Sequence, residues 1–303
     1  MGKCEKSKII FNTKTLAKIV NEPEAILQDE ESFWQDERPQ HLTRLWAEAV
    51  GYSINYDEWR QRIGEWASLP LFRRRDHVFM ENAKKIINCK KEFLENALPL
   101  LCSYLPADAD LNVTVHFTAF IPSRAFALQD IVINVNANYW KNNVDNILNA
   151  LIHEIFHAGY SYCRDHQTEE RLQDERLYRM LDNLQSEGIC THVGYRARSA
   201  FPAPDEKDYQ LLNSTAQVKK SLKDVNEVFS KIGDLSIEEL QKVLWEKCVM
   251  DRGYYVVGAT MCRVIEEKKG RQRLIANLTE GPVSFVKLYN SSVEREMQLQ
   301  IDL

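Results

Sequence analysis

The chain has 303 residues, of which 44% are hydrophobic and 27% charged, and its formal net charge at pH 7 is −5. This composition is typical of a globular protein with a sizeable core, and the net negative charge argues against a general nucleic-acid-binding role. No stretch approaches the ~20 apolar residues of a membrane span, and none at the amino terminus resembles a signal peptide. Seven scattered cysteines without CxxC spacing indicate mostly reduced, buried thiols. We therefore expect no membrane span and, by default, a cytoplasmic location.

The first third of the chain is predicted to be helical. Residues 1–105 carry apolar residues at three- and four-residue spacing, which is typical of amphipathic helices. Residues 76–105 predict one long amphipathic helix that ends before Pro106. We take residues 1–105 as an N-terminal helical region.

The pattern changes after Pro106. Residues 111–121 and 130–138 alternate or cluster β-branched residues, which predicts two strands. Long helices are predicted over residues 142–163 and 169–197, where apolar residues recur at helical spacing. We take residues 106–200 as a second region, built from a small sheet and two long helices.

Residues 201–303 are predicted to be helical again. Ser236 and Glu239 form a capping box at the start of one helix, and Gly270 is placed to end the next. The predicted fold class is therefore α+β, mostly α. We expect the small sheet to pack on the helix over residues 142–163, with helical regions at both ends of the chain.

That helix carries the pattern His-Glu-x-x-His in "LIHEIFHAGY", with His153, Glu154 and His157. The two histidines lie one turn apart and point the same way, whereas Glu154 lies ~100° further round. Apolar residues occupy the other side of the helix: Val144, Ile147, Leu148, Leu151 and Ile155. Such a helix can present two imidazoles to a zinc ion with a general-base glutamate beside them. The alternative is an ordinary helix with two surface or core histidines.

A catalytic zinc ion needs a third protein ligand and one open position. Glu187, in "NLQSEGICTHVGY", is the strongest candidate, because small neighbours such as Gly188 would let its helix approach the metal helix closely. A solvated Glu187 is the alternative. Weaker ligand candidates follow His157 in the chain: Cys163, His166, Glu169 and Glu170.

Together, "HEIFH" and "SEGIC" resemble the gluzincin class of zinc metallopeptidases, which pair HExxH with a zinc-binding glutamate on a downstream helix. More narrowly, the chain resembles an uncharacterised family of zinc-dependent peptidases in which a late Tyr-x-x-Gly helix follows, as in "YVVG", residues 255–258. The resemblance covers roughly residues 110–270. It implies that residues 106–200 form a zincin-like catalytic core and that residues 201–303 complete the cleft.

The resemblance also implies a mechanism. One Zn²⁺ per chain would be held by His153, His157 and Glu187, and the substrate would be a peptide or protein. Glu154 would take a proton from the attacking water and pass it to the leaving amine. The alternatives are a zinc-dependent hydrolase of a non-peptide amide and a non-catalytic helical binding protein with a degenerate site. Nothing in the sequence indicates an oligomeric state.

The developing oxyanion needs a hydrogen-bond donor besides the metal. Tyr255 is the first choice, Tyr254 the second, and His192 a further alternative, although two tyrosines that only pack are almost as plausible. An extended substrate could add to "IVINVNAN", residues 131–138, if that strand lies at a sheet edge; an internal strand is equally compatible with the sequence. Side chains that could bind the histidines' other ring nitrogens are Asp182 and Asn183.

Overall fold

The computed structural model describes residues 7–75, 77–136, 143–169, 172–204 and 206–301. Helices predominate and one small sheet is present, which confirms the predicted α+β, mostly α class. The chain divides into two compact units. The sheet unit comprises residues 5–98 and 110–158, and the helical unit comprises residues 99–109 and 159–303. The three-region division of the sequence stays a prediction.

The sheet unit contains four strands: β1 (Lys8–Asn12), β2 (Asn112–Thr118), β3 (Ala125–Ala127) and β4 (Ile131–Asn134). Their order is β1-β2-β4-β3. The pairs β1–β2 and β2–β4 are parallel, and β3 pairs antiparallel with β4. The register places Val115 beside both Phe11 and Ile131. β2 and β4 therefore form the interior of this sheet, and their apolar side chains are buried.

The position of β4 corrects one interpretation of the sequence. Because β4 lies between β2 and β3, it is not a sheet edge, and the internal-strand alternative is confirmed over Ile131–Asn134. Residues 137–138 of the predicted strand lie outside the described part of the chain. The short strand β3, which the sequence did not indicate, covers the side of β4 to which a peptide would have added.

Helices flank the strands of the sheet unit in the sequence. They are α1 (Lys14–Asn21), α2 (Pro23–Gln28), α3 (Glu30–Asp36), α4 (Arg38–Ala49), α5 (Tyr56–Ser68), α6 (Leu71–Arg75), α7 (Val78–Asn88), α8 (Lys90–Cys102) and α9 (Val144–Asp165). The single helix predicted over residues 76–105 is wrong, because α7 ends at Asn88, Cys89 follows as its C-cap, and a second helix, α8, begins at Lys90. The prediction of only helices before Pro106 is also wrong, since β1 pairs with β2.

The helical unit contains most of the remaining helices. They are α10 (Glu175–Arg196), α11 (Lys207–Leu212), α12 (Thr215–Ser230), α13 (Ile237–Val243), a π-helix (Leu244–Met250), α14 (Gly253–Lys269), α15 (Arg271–Glu280) and α16 (Pro282–Asn290). Asp174 caps α10 by accepting hydrogen bonds from the backbone N–H groups of Arg176 and Leu177. The predicted capping box of Ser236 and Glu239 is confirmed at α13, and Gly270 ends α14. Within the described residues, no helix is both long enough and apolar enough to cross a membrane.

Helices α10 and α14 approach each other through two glycines. A Cβ atom on Gly188 would lie 2.5 Å from the backbone of Gly258, and one on Gly258 would lie 2.2 Å from the carbonyl oxygen of Leu184. The small residues around Glu187 were expected to let α10 approach the metal helix α9. Of these, Gly188 lies against α14, and its neighbour there, Gly258, is the glycine of the "YVVG" motif.

Candidate metal centre

The His-Glu-x-x-His residues lie on a partly exposed strip of α9. Between Asn146 and Tyr160, every residue is buried except His153, Glu154, His157 and Ala158. The predicted apolar stripe is confirmed at four of its positions, Ile147, Leu148, Leu151 and Ile155, whereas Val144 is partly exposed. Between Asn146 and Tyr160, α9 therefore leaves access only to His153, Glu154, His157 and Ala158.

The two histidines point their Nε2 atoms toward the same place. These atoms lie 3.2 Å apart, and the ring planes are inclined at 76° with centroids 4.9 Å apart. Two nitrogens bound to one tetrahedral zinc ion at ~2.0–2.1 Å each are separated by roughly 3.3 Å. The pair therefore has the spacing that a shared zinc ion requires.

Glu187 offers a third possible ligand atom close to this pair. His153, His157 and Glu187 each offer one ligand atom, and these three atoms all lie within 4.8 Å of one another. Two imidazole nitrogens and one carboxylate oxygen form a common donor set for catalytic zinc. In the described residues no other group of histidine, cysteine, aspartate or glutamate satisfies this criterion.

The other ligand candidates differ in their surroundings. Burial raises the pKa of the Cys163 thiol to about 12, which disfavours the thiolate that a metal binds. His166 is exposed and stacks on Tyr162, with ring centroids 4.2 Å apart. The Glu169 carboxylate accepts hydrogen bonds from the backbone N–H groups of Val283 (3.1 Å) and Ser284 (2.9 Å), at the start of α16. Glu170 lies outside the described residues.

The candidate oxyanion donors Tyr254 and Tyr255 lie in the first turn of α14, which begins at Gly253. Tyr255 is partly exposed, and the guanidinium carbon of Arg252 lies 3.1 Å from the centroid of its ring. Tyr254 is buried, and its side chain lies beside Cys248 and Asn183. Burial, followed by the nearby Cys248, raises the pKa of Tyr254 well above its ordinary value. The choice of Tyr255 as donor stays a prediction.

The third candidate donor, His192, takes part in a buried polar cluster. Its Nε2 lies 2.8 Å from a carboxylate oxygen of Glu266, and Glu266 also accepts hydrogen bonds from Tyr104 (2.9 Å) and Arg271 (2.8 Å). Burial opposes the charge of Glu266, but hydrogen bonds from His192 and Arg271 lower its pKa to about 2. These contacts link His192 on α10 to Glu266 on α14. The choice of His192 as an alternative donor stays a prediction.

This cluster predicts a pH dependence of stability. We expect Glu266→Gln to lower the free energy of unfolding at neutral pH by about 1–3 kcal/mol, since a partly buried carboxylate loses charge-assisted hydrogen bonds. The folded-state pKa lies below the usual 4.5, so this contribution is present above pH 4.5 and is lost as the pH falls toward 2. Chemical denaturation at several pH values checks this. Glu267→Gln, at an exposed neighbouring position, is the control. If Glu266→Gln lowered the free energy of unfolding by the same amount at every pH, the prediction would be contradicted.

The residues proposed to support the histidines also have observable contacts. Asp182 accepts a hydrogen bond from the hydroxyl of Tyr160 at 2.7 Å. A guanidinium nitrogen of Arg164 lies 3.9 Å from the other carboxylate oxygen of Asp182. Asn183 is exposed on α10, on the side of Tyr254. Their roles toward the histidines stay predictions.

Comparison with known proteins gives one positive result. No curated protein and no solved structure shows a significant match to this sequence. A family described as "Putative zinc dependent peptidase (DUF5700)" matches residues 16–298, which include His153, His157, Glu187 and the "YVVG" motif. This match confirms the narrower of the two resemblances that the sequence shows. Because it spans nearly the whole chain, the protein belongs to the family described as "Putative zinc dependent peptidase (DUF5700)".

Proposed function

We propose that this protein is a zinc-dependent peptidase of the gluzincin type. The observation that carries the proposal is the grouping of His153, His157 and Glu187, whose ligand atoms lie within 4.8 Å of one another. Family membership supports zinc and a peptide or protein substrate in general terms. The gluzincin assignment adds the identity of the third ligand and one ion per chain.

The residues fit the proposed ion in number and chemistry. Two neutral imidazoles and one carboxylate leave a fourth position open, as catalytic zinc sites do and structural ones do not. A zinc ion there would supply a Lewis acid that lowers the pKa of a water molecule to ~7 and polarises a carbonyl. The partly exposed strip of α9 gives water and substrate access to these side chains.

The chain's own residues then move the proton and stabilise charge. Glu154 directly follows the first histidine, lies on the same accessible strip, and is the proposed general base. It would accept a proton from the attacking water and deliver it to the amine that leaves when the peptide bond breaks. Tyr255, partly exposed at the start of α14, is the proposed hydrogen-bond donor to the carbonyl oxygen as that oxygen gains negative charge.

Peptide hydrolysis by the zinc-loaded protein tests this function. We expect zinc-loaded enzyme to cleave members of a library of unstructured peptides, chelator-treated enzyme to be inactive, and added zinc to restore cleavage. Mass spectrometry identifies the products. A zinc-loaded protein that leaves every peptide intact would instead favour a non-peptide amide as substrate, and a folded protein that takes up no zinc would favour a binding role.

A further inference from the structure

The backbone just before α14 is unusual. The π-helix Leu244–Met250 leads into Arg252, whose φ of +68° lies in the left-handed region. In the described part of the chain, Phe120 is the only other residue besides glycine with positive φ. Such a conformation costs ~1–2 kcal/mol for a residue with a Cβ atom and persists where the surroundings hold it in place. The contacts of Arg252 with its neighbours must therefore offset this cost.

A buried carboxylate fixes the side chain of Arg252. Its Nε atom donates to Oδ1 of Asp208, and a terminal nitrogen donates to Oδ2, both at 2.6 Å. The side chains of Arg252 and Asp208 are 17% and 4% exposed. Two parallel hydrogen bonds between a guanidinium and a carboxylate set both the position and the plane of the guanidinium.

The guanidinium in turn covers the ring of Tyr255. Its central carbon lies 3.1 Å from the ring centroid, which is a close cation–π contact. Burial opposes the charge of Arg252, but Asp208 outweighs this and raises the pKa of Arg252, with smaller contributions from Tyr255 and Glu187. One arginine therefore interacts both with the ring of the proposed oxyanion donor and with the charge of the proposed third ligand.

We propose that Arg252, anchored by Asp208, is a positioning residue that fixes the phenol ring of Tyr255 for its role toward the substrate carbonyl. This inference rests on the proposed function. Tyr255 is only partly buried, so packing alone leaves its ring more freedom than a core tyrosine has. A donor displaced by about 1 Å can lose on the order of 100-fold in rate, and the stacked guanidinium limits such displacement.

A double-mutant cycle tests whether Arg252 acts through Tyr255. Arg252→Lys keeps the charge beside Asp208 but can neither form the two-pronged pair nor lie flat on the ring. We expect it to lower kcat by about 10- to 100-fold, with KM and zinc content unchanged, and to have no further effect in Tyr255→Phe enzyme. Equal losses in both backgrounds, or no loss in either, would overturn the proposal. Arg263→Lys, elsewhere on α14, is the control and should keep wild-type kcat.

A measurement without catalysis keeps this test separate from the proposed function. With 3-fluorotyrosine incorporated into the zinc-free protein, the ¹⁹F resonance missing in Tyr255→Phe belongs to Tyr255. Arg252→Lys should shift that resonance and leave those of distant tyrosines in place; an unmoved resonance would refute ring positioning. If wild-type enzyme cleaves no peptide although the resonance moves, the proposed function fails and ring fixation stands. Should Arg252→Lys not fold, Asp208→Asn, which loosens the anchor alone, replaces it in both experiments.

Discussion

Glu154→Gln should lower kcat for peptide hydrolysis by on the order of 100- to 10,000-fold and leave the zinc content at one per chain. Glutamine has nearly the shape of glutamate but cannot accept and release a proton at neutral pH. Glu154 follows the first histidine of the motif and lies on the accessible strip of α9. The proposed metal ligands are different residues, so the substitution should lower the rate without lowering the zinc content.

Steady-state kinetics and metal analysis of the same preparations check this prediction. Asp165→Asn makes the same acid-to-amide change at the exposed end of α9 and should hydrolyse peptides at the wild-type rate. Hydrolysis by Glu154→Gln at that rate would remove Glu154 from the mechanism. Loss of zinc together with activity would place it among the ligands instead.

Gly258→Ala is expected to destabilise the protein by about 2–4 kcal/mol, although alanine is the better helix former. The added methyl group would lie 2.2 Å from the Leu184 carbonyl oxygen and 2.6 Å from the Cα atom of Gly188. Both contacts are with backbone atoms, which cannot move aside as a side-chain tip can. Helices α10 and α14 would have to separate, and the segments that carry Glu187 and Tyr255 would shift with them.

Gly64→Ala is the matched control for this substitution. Gly64 lies inside α5, and a Cβ atom there would meet no other atom within 4 Å. The change should therefore stabilise the protein by up to about 1 kcal/mol, the ordinary advantage of alanine over glycine in a helix. Chemical denaturation measures both variants. Equal shifts for the two glycines would show that the α10–α14 crossing tolerates a side chain.

The parts of the site that depend on one helix could be predicted from sequence. The spacing of His153 and His157 fixes both side chains on one face of α9 wherever the helix packs. To predict from sequence that Glu187 lies near these histidines, one must also know which helices pack together. Gly188 indicated a close helix contact, but a glycine does not specify its partner, which proved to be α14.

Short strands and breaks in helices were harder to predict. β1 and β3 have five and three residues, and strand formation in such short segments depends on pairing with distant residues more than on local propensity. For the same reason the sequence could not decide whether β4 lay at an edge. The helix break at Cys89 carries no proline or glycine as a signal.

The proposed role of Arg252 had almost no sequence signal. Its partner Asp208 lies 44 residues earlier, and its left-handed backbone follows from tertiary packing. The one available clue was an arginine directly before "GYYVVG", the segment already considered for the oxyanion donor. Likewise, two of the partners of Glu266, Tyr104 and His192, are distant in the sequence.

Metal content of purified variants tests most directly whether residues 153, 157 and 187 hold one zinc ion. We expect one zinc per chain in wild-type protein and in His166→Ala, and nearly none in Glu187→Ala or His157→Ala. Circular dichroism verifies that each variant is folded. Full zinc occupancy in folded Glu187→Ala, together with its loss in His166→Ala, would contradict the proposed ligand set, as would a folded wild-type protein that binds no zinc.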